Sequence, residues 1–332
     1  MASAAVTGGA AAAAPAISYV NLGALPGAST SEALAVNSRG EVAGWSDTAS
    51  GGTDAVRWSP DGTITDLGTL PGGSYSEALG INNAGCVVGD GDNAAGQDHA
   101  IVWAPDGKAT DLGTLAGGNN SDGVAINDAG TAVGYASPQG SVWVTLKWSR
   151  EGTLTQLGSL AGFASSEPTA INAAATIAGY SFTFRSPSQA TLWNPAGQPR
   201  GLNPPSGGTI SSANAISDAG TVVGQYDIGP SVGHHIQAVR WAANGTPTDL
   251  GTLPGGTLSW AEAINDADET AGAADNGGLF DYPVAWGAHG AIALLPEPSG
   301  DEGGWAQGIN GGGVIVGYVN AANGQPVAAL WR

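Results

Sequence analysis

Charge is scarce in this chain, and positive charge scarcest. Only 11% of its 332 residues are charged, and 9 Lys plus Arg stand against 28 Asp plus Glu, a net charge of −19. A surface this acidic repels phosphate backbones and anionic lipid, so nucleic acid is not an expected partner. The single cysteine, Cys86, excludes an internal disulfide framework and a thiolate metal site. It follows the turn Asn82-Asn83-Ala84-Gly85, where sister segments carry Thr131, Thr176 and Thr221, and it reads as a structural strand residue. No apolar run approaches ~18 residues, so no membrane insertion is expected. Ser-His-Asp order, a phosphate loop and Cys/His zinc spacing are all missing, so no cofactor and no metal site is assigned.

What is abundant is glycine, at 55 residues, within a chain that is 42% hydrophobic. That composition can fill a core, suits short strands and tight turns, and is poor material for solvated helices. The opening stretch from Met1 to Ala16 is rich in Ala and Gly, with no basic n-region, and reads as a flexible leader or the remnant of a trimmed signal. Residues 17–332 read as one domain.

A tryptophan recurs at Trp58, Trp103, Trp148, Trp193, Trp241, Trp286 and Trp331, at intervals of 45 residues except one of 48. A second marker keeps the same beat at Asn37, Asn82, Asn127, Asn172, Ser217, Asn265 and Asn310. Two markers with one period mean a repeat protein of seven units. Within a unit, Gly123 to Asn127 reads as strand A and Thr131 to Tyr135 as its antiparallel partner B. Val144 to Trp148 reads as strand C, and Thr153 to Leu157 as strand D after a tight turn. Strand A alternates in size: Leu34 and Val36 are expected on one face, Ala33 and Ala35 on the other. A bulky face that meets the bare face of an identical neighbour builds an all-β, seven-bladed β-propeller of four-stranded antiparallel blades. The last unit stops at Trp331-Arg332 after strand C, while Ile17 to Gly23 matches the strand D segment Thr65 to Gly68. The N-terminal strand should therefore complete the seventh blade and hide an edge that invites aggregation. Such a closed ring is expected to be a monomer.

Three phrases recur in fixed order: Asp-Leu-Gly-Thr-Leu-Pro-Gly-Gly (66–73 and 249–256), Ser-Glu-Ala-Leu-Gly-Ile-Asn-Asn-Ala-Gly (76–85), and His99-Ala100-Ile101-Val102-Trp103. In these the chain resembles the bacterial HAF-repeat family across residues 17–332. The resemblance implies a propeller and an extracellular or periplasmic location, but no established activity. With no export signal visible, a cytoplasmic location stays open. The pattern lapses at Gly201 to Pro205 and at Leu294 to Pro298, and the name-giving His survives only at His99.

In a meander propeller the D–A connections and B–C loops surround one mouth of the central channel, here the top face. The position five before the Asn marker holds Glu32, Glu77, Asp122, Glu167, Ser212, Trp260 and Trp305. The position eight after it holds Trp45, Asp90, Tyr135, Tyr180, Gln225, Ala273 and Tyr318. Both series should ring the same mouth. Of the tryptophans outside the repeat series, Trp45, Trp260 and Trp305 belong to adjacent blades and should form an aromatic wall beside an acidic arc of Glu32, Glu77, Asp122 and Glu167. That suits a small molecule or carbohydrate with an apolar or sugar-like face and hydroxyl or cationic groups. His234 and His235, in the one lengthened B–C loop, could add acid–base or metal-binding groups, with Asp281 and Tyr282 extending the rim. His289 falls on the opposite face.

Three plainer readings stand beside this one. The acids could cap turn amides, order water, or hold a hard cation; the Asp90-Gly-Asp92-Asn93 run lacks the rest of a calcium loop. If the chain is an enzyme, these carboxylates are the candidate general acid and base of a hydrolase, lyase or cyclase. A protein-interaction platform is the third reading.

Overall fold

The computed structural model describes residues 17–138, 142–184, 186–229, 235–300 and 302–332, and the side chains of residues 186 and 187 are left aside. These residues form seven four-stranded antiparallel sheets arranged as a ring of blades, with no helix. Blade 1 comprises strands A (Ser31–Val36), B (Val42–Asp47), C (Thr53–Trp58) and D (Ile64–Asp66). Blade 7 takes A (Gly304–Ile309), B (Ile315–Asn320) and C (Pro326–Trp331) from the end of the chain and D (Tyr19–Asn21) from its beginning. Tyr19 pairs with Trp331 and Asn21 with Ala329, and the Tyr19 and Trp331 rings meet edge to face at 6.3 Å. The expected closure is observed.

Adjacent blades pack bulky face to bare face. Val87, Ile101 and Trp103 of blade 2 cover Ala43 and Ala55 of blade 1, and the same core recurs around the ring. All seven repeat tryptophans are completely buried, and truncating one such side chain costs about 3–5 kcal/mol. Five of the indoles also donate to a carbonyl at the end of the preceding blade's strand D, as Trp148 does to Leu112 at 3.0 Å. Trp58 and Trp103 keep the burial without that bond. The two stretches where the repeat phrase lapses still supply it: Trp241 donates to Asn203 O and Trp331 to Pro296 O, while Leu202 and Leu295 stay in the core.

The asparagine marker has its own role. Each side-chain amide reaches the backbone carbonyl of the next marker: Asn37 to Asn82, Asn82 to Asn127, Asn127 to Asn172, Asn172 to Ser217, Asn265 to Asn310, and Asn310 back to Asn37, at 2.9–3.2 Å. The same side chains accept amides of their own A–B turns, as Asn82 does from Ala84 and Cys86. A belt of hydrogen bonds thus encircles the bottom of the channel, broken where Ser217 has no amide to offer. A second staple lies at the top of strand A, where Ser76 accepts the Ala55 amide of blade 1 and donates to Gly68 O. Ser31 receives Ala328 and so fastens the last blade to the first.

Two expectations need correction. Strand A carries a β-bulge in every blade, between Ala33 and Ala35 in blade 1. Leu34 and Val36 therefore do not share a face: Val36 joins Ala33 in the core against blade 7, and the bulged residue leaves both packing faces. Cys86 lies in the A–B turn, one residue before strand B (Val87–Asp92), with its amide held by Asn82.

Ser217→Asn should close the broken belt and raise stability by about 1 kcal/mol, whereas Asn127→Ala, which strands buried turn amides, should lower it by about 1–3 kcal/mol. Urea unfolding of the two variants measures both; equal midpoints would deny the belt any energetic role.

Candidate functional site

The bulge and a glycine create the channel lining together. Opposite each bulge, strand B carries Gly44, Gly89, Gly134, Gly179, Gly224, Gly272 or Gly317, and a Cβ at Gly272 would sit 1.9 Å from Trp260 O. Only a residue without a side chain lets strand A bend this far inward. The bulged residues Val124, Thr169, Asn214, Glu262 and Gln307 consequently line a cavity of about 650 Å³ in the channel, together with Trp260, Trp305, Tyr180, Ser212, Gln225 and Ser188.

Above the bulge the two expected rings exist, and their members face one another across strands A and B in register. Glu32 pairs with Trp45, Glu77 with Asp90, Asp122 with Tyr135, Glu167 with Tyr180, Ser212 with Gln225, Trp260 with Ala273, and Trp305 with Tyr318. Trp260 and Trp305 stack at 5.1 Å with 35° between their planes. Trp45 makes no ring contact among the described residues, so the aromatic wall has two members rather than three. Trp143, from a B–C loop, meets Tyr135 edge to face at 5.1 Å. His234 lies outside the described residues. His235 is part-buried beside it, its carbonyl accepting the Ile228 amide. His99 is held by Asp111 of its own outer strand at 2.8 Å, a structural pairing.

The acids are not caps: among the described residues no backbone amide donates to Glu32, Glu77, Asp122 or Glu167. Glu167 accepts the Tyr180 phenol, and Tyr75 hydrogen-bonds Glu77. Desolvation pushes Asp90 up to about 8, helped by Asp122, Glu77 and Asp98 nearby. It lifts Glu32 to about 7 with a contribution from Glu77, and Asp122 to about 6 with contributions from Asp98 and Glu167. Glu77 and Glu167 are raised by burial against the opposing pull of their tyrosines. The phenol of Tyr318 rises to about 12 through burial and the charges of Glu32, Asp281 and Glu262; burial likewise raises Tyr135 and Tyr180.

Glu262 was hidden from sequence reasoning. An unbroken strand A would turn it onto a packing face; the bulge turns it into the cavity, where Asn214 donates to it at 3.1 Å and burial raises it to about 7. The usable signal was the run Thr169, Asn214, Glu262, Gln307 at a position that is Leu34, Leu79 and Val124 in blades 1 to 3. Among the described residues no three His, Cys, Asp or Glu side chains gather closely enough to hold a metal ion.

Charge is divided between the two faces. Arg57, Lys147 and Arg240 reach carbonyls of the next blade's C–D turn, at Pro105, Pro195 and Ala288. Arg39, Lys108 and Arg150 sit in A–B or C–D turns, Arg200 beside another, and Arg332 at the end of strand C. All these bases are on the bottom half, where Glu41, Asp61, Asp128 and Asp268 offset them. Among the described residues the top half has no Lys or Arg.

No protein-family model matches the sequence, and no curated protein matches it. Solved structures do resemble the fold. A streptogramin B lyase aligns over 95% of this chain and 97% of its own at 9% identity, TM-score 0.58. A catalytically inactive virginiamycin B lyase from Staphylococcus aureus with Quinupristin aligns over 95% and 99% at 12% identity, TM-score 0.60. TolB from Acinetobacter baumannii aligns over 93% of this chain and 66% of its own at 10% identity, TM-score 0.51. Identities this low establish the seven-bladed propeller and nothing finer. Among the described residues no helix is long and apolar enough to cross a membrane.

The raised carboxylates set a sign for stability against pH. Asp90 moves from 3.8 to about 8 on folding, so in the window between those values the unfolded chain has given up a proton that the folded one keeps, and stability falls as pH rises. Thermal midpoints should be higher at pH 5 than at pH 8, and Asp90→Asn should flatten that slope and raise the midpoint at pH 8. A midpoint that climbs from pH 5 to pH 8 would contradict the assignment.

Proposed function

We propose that this chain is a HAF-repeat propeller whose top-face cavity binds a small molecule or glycan. One observation carries the reading: the stacked Trp260–Trp305 pair forms one wall of a cavity whose other lining groups are mainly hydrogen-bonding side chains, Ser212, Asn214, Gln225, Glu262 and Gln307. A flat apolar wall facing amides and a carboxylate is what a ring-bearing polar molecule needs, because its face desolvates on the indoles while its hydroxyl or amino groups keep hydrogen bonds. The arc of Glu32, Glu77, Asp122 and Glu167, with Asp90, Tyr135, Tyr180 and Tyr318, extends this lining around the mouth, and Trp45 and His235 occupy its rim. The HAF resemblance, carried by the three recurrent phrases, supports an extracellular or periplasmic location.

A second reading, catalysis by acid–base chemistry in a hydrolase, lyase or cyclase, is supported by carboxyl groups that titrate near neutrality, Glu32, Asp122 and Asp90 above all. A carboxyl group poised near the working pH can give or take a proton in the transition state. Glu32→Gln and Asp122→Asn separate the readings, since binding retained with turnover lost identifies an enzyme.

For the binding reading, titration of a soluble oligosaccharide and metabolite panel, followed by tryptophan fluorescence, should find ligands that Trp260→Ala and Trp305→Ala each weaken by about tenfold. Thermal midpoints should stay close to the parent's. Undiminished binding in both variants would rule out the cavity as the site.

A further inference from the structure

The ligand taken by this cavity has a definable charge. We infer that the top-face cavity is selective for a ring-bearing molecule with a protonated amino group, the ring against Trp260 and Trp305 and the ammonium against Glu262. This narrows the ligand class of the cavity proposed above and rests on that reading.

Three independent features point to a cation. Glu262 is presented inside the cavity by the strand A bulge and oriented by Asn214, which spans from Ala261 O to the Glu262 carboxylate at 3.1 Å to each. Its other oxygen has no described hydrogen-bond partner, and no described Lys or Arg stands on that half of the molecule to neutralise it. A carboxylate held out of water without a cation costs free energy that a bound ammonium returns. The paired indoles beside it supply π faces, which attract an ammonium or the polarised C–H bonds of an amine-bearing ring.

The division of charge between the faces supplies the third feature. Among the described residues the Lys and Arg side chains stand on the bottom half, while the acids of the top half, Glu77, Asp98 and Glu167 among them, act in one direction and draw cations toward the mouth; Arg185 lies outside the described residues. An anionic or neutral ligand has no use for that field. Among the described residues Arg57, Lys147 and Arg240 direct donors to blade-to-blade carbonyls and away from the cavity.

Paired probes that differ only in charge test this: glucosamine trimer against N-acetylglucosamine trimer, and tryptamine against N-acetyltryptamine, by calorimetric titration at pH 7. The free amines should bind at least about tenfold more tightly than their acetylated partners, and the gap should shrink in 0.5 M salt. Glu262→Gln should close the gap, and Gln307→Glu, which adds a second carboxylate to the same lining, should widen it; circular dichroism confirms that each variant is folded. Equal binding of the amine and acetylated forms, lost in Trp260→Ala, would overturn the charge selectivity and leave the cavity as the site. Failure of every probe to bind, or binding indifferent to Trp260→Ala, would overturn both.

Discussion

Close contact between two backbones, strand A bending inward and strand B without a side chain to resist it, governs how this ring is built. At Gly272 a methyl group would stand 1.9 Å from Trp260 O, and the corresponding distance is close to 2 Å in every blade. The bulge this permits removes one residue per blade from the sheet's two-residue period and delivers it to the axis. Everything below the bulge is committed to packing and to the asparagine belt. Above it, Ser31 and Ala33 of blade 1 stay in the inter-blade packing, while Glu32 and the bulged residue itself face the channel. Fold and site therefore occupy different positions of the same short strand.

Fastening is correspondingly redundant and local. Each blade contacts its neighbours through a buried tryptophan, a strand A serine in most blades and, in all but blade 5, an asparagine amide. None depends on what occupies the mouth. Blades 1 to 4 open strand A with carboxylates, while blades 5 to 7 place Ser212, Trp260 and Trp305 there within the same hydrogen-bonded frame. Since the propeller forms equally with either set, the carboxylates are not required by the architecture, and the desolvation that lifts Asp90 and Glu32 works against stability.

Much of this was legible from spacing alone. The Trp and Asn markers gave the blade count, because each belongs to an inter-blade contact that recurs around the ring, and the match of Ile17 to Gly23 with a strand D segment gave the ring closure. The rings at the mouth were legible too, since Glu32 and Trp45 are placed by counting from the marker and their pairing follows from antiparallel register. What could not be read was the lining one step further in. Strict alternation predicts that Leu34 shares a face with Val36, and a single inserted residue reverses that for half the strand. Glu262 and Gln307 were overlooked for this reason, and Trp45, which stands on strand B and not on strand A, makes no ring contact with the Trp260–Trp305 pair among the described residues. The glycine of strand B was visible at every repeat, but its meaning depends on a backbone approach in three dimensions.

The position of the bulge also explains why chemistry concentrates on one side of the ring. Blades 1 to 3 fill the bulged position with Leu34, Leu79 and Val124, whereas blades 4 to 7 use Thr169, Asn214, Glu262 and Gln307. The bulged Leu34, Leu79 and Val124 are apolar in the blades that carry Glu32, Glu77 and Asp122, carboxylates raised chiefly by burial. A polar arc lies beneath the tryptophans of blades 6 and 7, where the indoles supply the apolar surface instead. The channel is thus two complementary half-rings, acid over hydrocarbon and indole over amide. Among the described residues the second places an apolar wall and hydrogen-bonding groups within one cavity, and that juxtaposition is what the proposed binding of a ring-bearing molecule rests on.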